Sequence, residues 1–436
     1  MSRAPHKTLK RELGVGGATL MGLGSILGTG VFVSFALAAG ISGPAVILAT
    51  VLAAMVATCN ALSSAQLAAA HPVSGGTYEY GYKYLHPVLG FTAGWMFLCA
   101  KSASAATAAL GFAGYALHLF GERAAGLHLP LALGAVIFLT LIAAAGIRQS
   151  NRTNIAIVSV TIVALLAFII AVLPEAWRSG SANLKPFFHS EAGTPAGAFG
   201  AVLHASALMF VAYAGYGRIA TLGEEVREPR RTIPRAIITT LIVSAVIYIT
   251  VALVSVAAAG ADTLRDATQQ TAAPLEIIAR QYGLPGLYWA VALGAVTAML
   301  SVLLNLVLGL SRVVLAMARR ADAPHLFTRL NASETAPLAA VFLVGAIIAG
   351  LVLIGNVKIT WSFSAFTVLV YYAITNLAAL RLPKADRLYP RPFAWGGLIG
   401  CLGLAFWVEV HIWMAGLGLL AAGLVWFAVA RFAQKG

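Results

Sequence analysis

The chain of 436 residues is 60% hydrophobic and only 10% charged, with a mean hydropathy of +0.87. A soluble enzyme of this length carries about 25% charged residues, so a soluble globular domain is excluded. The net charge of +14 leaves nucleic acid open as a partner until the basic residues are placed along the chain.

Apolar stretches of about 20 residues, long enough to cross a bilayer, recur throughout and predict an all-α polytopic membrane protein. Residues 1–13 (MSRAPHKTLKREL) form a basic tail with no cleavage site after it. They read as a cytoplasmic tail, not a removed signal peptide. Spans follow at about 14–38, 43–69, 86–119, 128–147, 153–174, 198–223, 235–259, 284–318, 337–355, 359–381, 393–409 and 411–432. That makes about twelve, an even number, which puts both termini on one side. With the tail in the cytoplasm, cytoplasmic segments hold 21 of the 29 Lys and Arg residues. The outer segments hold six: Arg123, Arg178, Lys185, Arg265, Arg280 and Lys358. Such an excess is the positive-inside signature. The positive charge therefore reports topology and contact with anionic lipid, and nucleic acid is excluded. The run from Glu224 to Arg231 is a cytoplasmic charge cluster, expected to pair internally and with neighbouring loops. Cys59, Cys99 and Cys401 lie in apolar spans without CxxC spacing, so no disulfide framework, metal site or cofactor is expected.

The first span contains GLGSILGTGVF, with glycines at 22, 24, 28 and 30. Each costs a helix about 1 kcal/mol relative to alanine. Span 6 reads MFVAYAGYGRIATLGEEVREP and is interrupted by small residues at Ala212–Gly217. Interrupted spans five apart point to a transporter site between two repeats. A break over Gly24–Gly30 would expose N–H groups of Gly28, Thr29 and Gly30, which suit a carboxylate. Carbonyls of Ser25, Ile26 and Leu27, with those of Phe210, Ala212 and Tyr213, would suit an ammonium group. A carboxylate site beside an ammonium site describes an amino acid. The other reading is that the glycines are close-packing positions between helices.

At these residues the chain resembles the amino acid–polyamine–organocation (APC) transporter superfamily, over nearly its whole length. The resemblance is carried by GSILGTGVF at 24–32 and HPVSGGTYEYGYKYLHPVLGFTAGW at 71–95. It continues in AYAGYGRIATLGEEVREPRRTIPRAI at 212–237 and SRVVLAMARRADAPHLF at 311–327. It implies a core of two inverted five-span repeats, at 14–174 and 198–382, with two further spans at 393–432. It also implies binding of amino acids or their amines at the breaks, with alternating access. Many members are proton-coupled symporters; others are exchangers.

Two departures stand out. Proton-coupled members commonly carry a span-5 lysine where this chain has Thr161. Many members also carry an acid after the span-6 break, where this chain reads Gly215, Tyr216, Gly217, Arg218. Lys101, in the middle of span 3, is expected to replace the missing lysine as the proton-coupling group. It would face the junction of spans 1, 5 and 8, with Thr161 and Ser301 around its ammonium. The alternatives are a purely structural lysine, or sodium coupling through Thr161, Ser301 and span-1 carbonyls. A fixed ammonium opposes the last. Arg218 at a helix start needs compensation, from a substrate carboxylate or from the protein. Phe210, Tyr213 and Tyr216 flank the break as gate or as packing. Asn305 in span 8 is an interhelical hydrogen-bonding residue or a specificity residue.

The sequence thus predicts a secondary amino-acid transporter, with protons favoured over sodium, in the cytoplasmic membrane of a prokaryote. No phosphate loop, HExxH or intramembrane acid cluster suggests an enzyme, and no protein partner is evident. The rivals are an exchanger without proton coupling and a non-transporting amino-acid sensor.

Overall fold

The computed structural model describes residues 13–72, 75–120, 126–146, 151–189, 194–220, 226–270, 273–282, 286–331 and 336–433. Residues 1–12 of the tail lie outside them, as do Arg123, Arg148, Glu224, Glu225 and Lys435. The described residues are almost entirely helical, and their only extended pairing is an isolated bridge between Leu13 and Val226.

The first half of the chain forms α1 (Val15–Ile26), α2 (Phe35–Ser42), α3 (Val46–Ala70), α4 (Thr77–Tyr84), α5 (Pro87–Phe120), α6 (His128–Ala144) and α7 (Asn151–Asn183). The second half forms α8 (Pro195–Tyr213), α9 (Gly217–Ala220), α10 (Pro229–Gln270), α11 (Pro274–Gln281), α12 (Leu287–Arg319), α13 (Leu338–Val352), α14 (Val357–Leu380), α15 (Arg391–Ala405) and α16 (Val410–Ala433). Among the described residues, eight helical stretches are long and apolar enough to cross a membrane, one of them joining α2 and α3 over Gly30–Ala70. The remaining helices at expected spans are α1, which a break separates from α2, and α6, α13 and α15. These last three have 17, 15 and 15 residues. The long helix α10 carries an internal kink at Gly260, where φ is 79°.

The helices pack through small residues. Among the described residues, α5 lies along α14 and α12, α10 lies along α3 and α7, and α3 lies along α8. A core of Ala, Val and Leu runs continuously through them. Without a hydrophobic driving force in lipid, such contacts rely on close approach and interhelical hydrogen bonds. Asn60 shows this: it accepts from Asn376 on α14 and lies 3.3 Å from Cys401 Sγ on α15.

Both ends of the bundle are tied by polar contacts. At the end bearing the described termini, Arg227 N–H donates to Leu13 O at 2.9 Å. Arg230 pairs with Asp386 at 2.9 Å and Arg231 with Glu228 at 3.5 Å, so the expected cytoplasmic cluster does pair internally and with another loop. Arg320 pairs with Glu79, and Arg431 on α16 reaches the buried Asp322 at 3.3 Å. Tyr78 and Tyr82 of α4 donate to that same carboxylate. At the opposite end, Glu409 lies 3.0 Å from Lys358 and 3.4 Å from His204. At that end too, the fully buried Glu276 of α11 meets His118 at 2.5 Å and pairs with Arg280.

The span-1 glycines show why the bundle can close. A Cβ at Gly22 would lie 2.8 Å from Thr240 Oγ1, one at Gly28 2.8 Å from Val302, and one at Gly30 2.6 Å from Ala212 Cβ. At Gly24 it would strike Asn154, and at Gly215 it would strike the Ser25 carbonyl oxygen. Close helix packing is therefore a role these glycines fill alongside the break. Gly215→Ala forces two backbones apart and is expected to cost about 1–3 kcal/mol by overpacking. Gly309→Ala points into open space and serves as the control. Thermal melting in detergent should show a clear loss for the first and none for the second.

Candidate functional site

The first break is shorter than its glycine pattern. Helix α1 continues through Gly24 to Ile26, and Leu27 leaves the helix with φ −74° and ψ 91°. The chain re-enters a helix at once. Gly28 O accepts from Val31 N–H at 3.1 Å and Phe32 N–H at 3.2 Å. A π-helical turn over Gly30–Ser34 then leads into α2. The break thus spans Leu27 to Thr29, not Gly24 to Gly30, because Gly22 and Gly24 serve helix packing. The second break is gentler. Helix α8 ends at Tyr213, a 3-10 turn covers Ala214–Tyr216, and the helix resumes at Gly217. This is the interruption the sequence predicts.

Such breaks free backbone carbonyls and N–H groups that must find partners within the protein. Three tyrosine hydroxyls supply them for the carbonyls. Tyr248 of α10 donates to Ile26 O at 2.6 Å and lies 3.3 Å from Ala212 O. One hydroxyl thereby bridges both breaks. Tyr372 of α14 donates to Ala214 O at 3.1 Å. Tyr115 of α5 donates to Phe32 O at 2.8 Å and accepts from Leu275 N–H of α11 at 3.3 Å. Trp361 adds a bond to Leu208 O at 3.0 Å.

The donor side is left differently. The first N–H groups of the helix that restarts at Thr29 have no acceptor in their own helix. The Thr29 hydroxyl is buried and has no hydrogen-bond partner among the described residues. The buried Tyr216 hydroxyl at the second break interacts with Tyr372. The orphaned hydroxyl therefore sits at the first interrupted helix, on Thr29. The carbonyls expected for an ammonium group are largely engaged: Ser25 O faces Gly215, while Ile26 O and Ala212 O share Tyr248. A carbonyl oxygen has a second lone pair, so each can accept once more.

The aromatic residues divide. Phe210 meets Tyr372 edge-on at 5.7 Å, and Tyr216 lies 5.4 Å from the same ring. Tyr213 turns elsewhere: its ring lies 5.0 Å from Tyr248, and its hydroxyl reaches Thr50 O at 3.4 Å. Lys101 is buried, 9% exposed. It lies on the stripe of α5 that carries Phe97 and Ser104, which meet Tyr371 and Ser364 of α14. These neighbours of Lys101 meet span 10, and α5 also packs along α12 of span 8. Thr161 bonds its own helix at Ile157 O (2.8 Å), and its backbone packs beside Gly294 of α12. Ser301 is seven residues further along α12, about 10 Å of helix rise. Span 5 reaches span 1 through Asn154, which donates to Leu20 O at 3.0 Å, and through Val158, which packs at Gly24. Ser301, Asn305 and Arg218 are each engaged with a neighbour.

The sequence reading missed Tyr248, Tyr372, Tyr115 and Asn154. Their signal was present: a polar group inside an apolar span is costly and calls for a partner.

A model of the amino acid permease family matches residues 17–432. An uncharacterized transporter of Mycobacterium tuberculosis is 40% identical over 427 residues, covering 98% of this chain and 93% of that protein. A branched-chain amino acid permease of Bacillus subtilis is 28% identical, covering 98% and 91%. A methylthioribose transporter of the same species is 28% identical, covering 99% and 95%.

Replacing Tyr248 with Phe would leave Ile26 O and Ala212 O buried without that donor. A buried unpaired polar group costs about 1–3 kcal/mol. Tyr248→Phe should therefore lower the melting temperature, and protease cleavage near the first break should become faster. An unchanged melting curve would show that the bridge does not hold the breaks together.

Proposed function

The chain belongs to the amino acid permease family, a family of membrane transporters, and on that premise we propose that it carries neutral amino acids across the cytoplasmic membrane by alternating access, coupled to protons. The observation that supports this reading most strongly is the pair of breaks. A helix restarts at Thr29 with free N–H groups and the partial positive charge of a helix N-terminus, beside an orphaned, buried Thr29 hydroxyl. The substrate carboxylate sits there. The substrate ammonium takes the Leu27 carbonyl and the second lone pairs of Ile26 O and Ala212 O. Phe210, Tyr216 and Tyr372 cover the ligand from the span-6 and span-10 side.

In this reading the twelve spans are two inverted five-span repeats, 14–174 and 198–382, with 393–432 added. The end that ties Leu13 to Val226 faces the cytoplasm, as the excess of Lys and Arg there supports. Lys101 is the proton-coupling group: it is a buried lysine at membrane depth, where a charged side chain is costly and marks a functional site. Lys101 and Arg218 both disfavour cationic substrates. The similarity to a branched-chain amino acid permease supports a neutral side chain.

The test is uptake of radiolabelled neutral amino acids into proteoliposomes. Wild-type protein should accumulate label when the outside is acid. Lys101→Ala should lose this accumulation while keeping counterflow between equal pH values. Full accumulation by Lys101→Ala would remove the lysine from coupling. Counterflow without any acid-driven accumulation in the wild type would make the protein an exchanger, and stabilisation by ligand without flux would make it a sensor.

A further inference from the structure

Helices α5 and α14 run antiparallel, and three contacts fix their register. Phe97 meets Tyr371 with ring centroids 5.2 Å apart, Ser104 Oγ lies 2.7 Å from Ser364 Oγ, and Thr107 Oγ1 lies 2.8 Å from Thr360 Oγ1. This register sets Lys101 level with Thr367. One turn of α14 separates each member of the series Asn356, Thr360, Ser364 and Thr367. Asn356, the N-cap of α14, is exposed at the end of the bundle assigned to the outside, and its carbonyl accepts from Thr360 at 3.1 Å. Thr360, Ser364, Thr107 and Thr367 are buried.

From this we infer that the seam between α5 and α14 is the path by which Lys101 exchanges protons with the outer face. The inference rests on the reading of Lys101 as the coupling group. A hydroxyl both donates and accepts, and in each facing pair either oxygen can be the donor. A proton arriving from water at Asn356 binds a lone pair of the Thr360–Thr107 pair, and that pair releases one of its own hydrogens inward. The Ser364–Ser104 pair repeats the exchange, with water bridging the turn between pairs. The neutral Lys101 amine takes the proton as ammonium, and rotation of the hydroxyls resets the path. Apart from Lys101, the titratable groups near this level are Cys99 of α5 and Tyr371 of α14, and at the outer end of α14 Lys358 pairs with Glu409 at 3.0 Å. Glu79, Arg320, Asp322 and Arg431 lie at one end of α5, and His118 and Glu276 at the other.

Hydroxyl pairs also serve as simple interhelical glue, worth about 0.6 kcal/mol each. Paired transport assays separate the two roles. Thr107→Val and Ser364→Ala are reconstituted, with Thr107→Ser and Ser364→Thr as hydroxyl-keeping versions. Radiolabelled neutral amino acids are followed in acid-driven uptake and in counterflow at equal pH. The seam as a proton path predicts a fall of about tenfold or more in acid-driven rate, with counterflow within about twofold of wild type and recovery in the hydroxyl-keeping variants. An equal fall in both assays, or full acid-driven uptake in Thr107→Val and Ser364→Ala, overturns the path and leaves Lys101 as the coupling group. Absence of acid-driven uptake in the wild type overturns the Lys101 reading itself, and the path with it.

Discussion

The whole structure turns on one constraint: a backbone that leaves the helix at membrane depth must be satisfied by its own protein. Two helices do so here, at Leu27–Thr29 and at Ala214–Tyr216. The Tyr248 hydroxyl answers both at once through Ile26 O and Ala212 O. Tyr372 answers the second break again at Ala214 O. For these bonds to form, the interrupted helices must approach almost backbone to backbone. Glycine at 28, 30 and 215 permits this, because any side chain there would meet a neighbour. The breaks, the glycines and the tyrosines are thus one device.

That device is asymmetric, and the asymmetry shapes the chemistry. Freed carbonyls are largely capped by tyrosine, while the donors that open the second half of span 1 remain available beside the orphaned Thr29 hydroxyl. An anionic group is the natural complement to such a site. Under the proposed reading, a substrate ammonium is received by lone pairs left over on partly engaged carbonyls. The alternating access we propose calls for contacts that tie both ends of the bundle. Charged and tyrosine contacts gather loops at the terminal end around Asp322, and α11 with Glu276 and Tyr115 ties the other end to the π-helical turn of span 1. Contacts of this kind can break and re-form without disturbing the apolar core.

Much of this was legible in the residues, and the limits have physical causes. Hydropathy located the helices because apolar length is a direct consequence of bilayer thickness. The glycine run announced the span-1 break, yet overstated it, since glycine answers equally to helix packing and to helix breaking. Gly22 and Gly24 serve packing against α9, α10 and α7. The span-6 interruption was read within a residue or two. Tertiary partners were less legible. Lys101 stands out as a charge at membrane depth, but the face it occupies depends on how α5 packs against α14. Thr161 corresponds to a family position, while Asn154 and Val158 of the same helix pack against span 1 at Gly24. Tyr248 and Tyr372 look like ordinary apolar-span aromatics until the carbonyls they cap are known.

The most direct measurement is a cryo-electron microscopy map of the protein saturated with a neutral amino acid. The account predicts density between the two breaks, with the carboxylate at the Thr29 and Gly30 N–H groups and the Thr29 hydroxyl, and the ammonium beside Leu27 O. Ligand density elsewhere in the bundle, or bound in the reverse orientation with its ammonium toward Thr29, would contradict it.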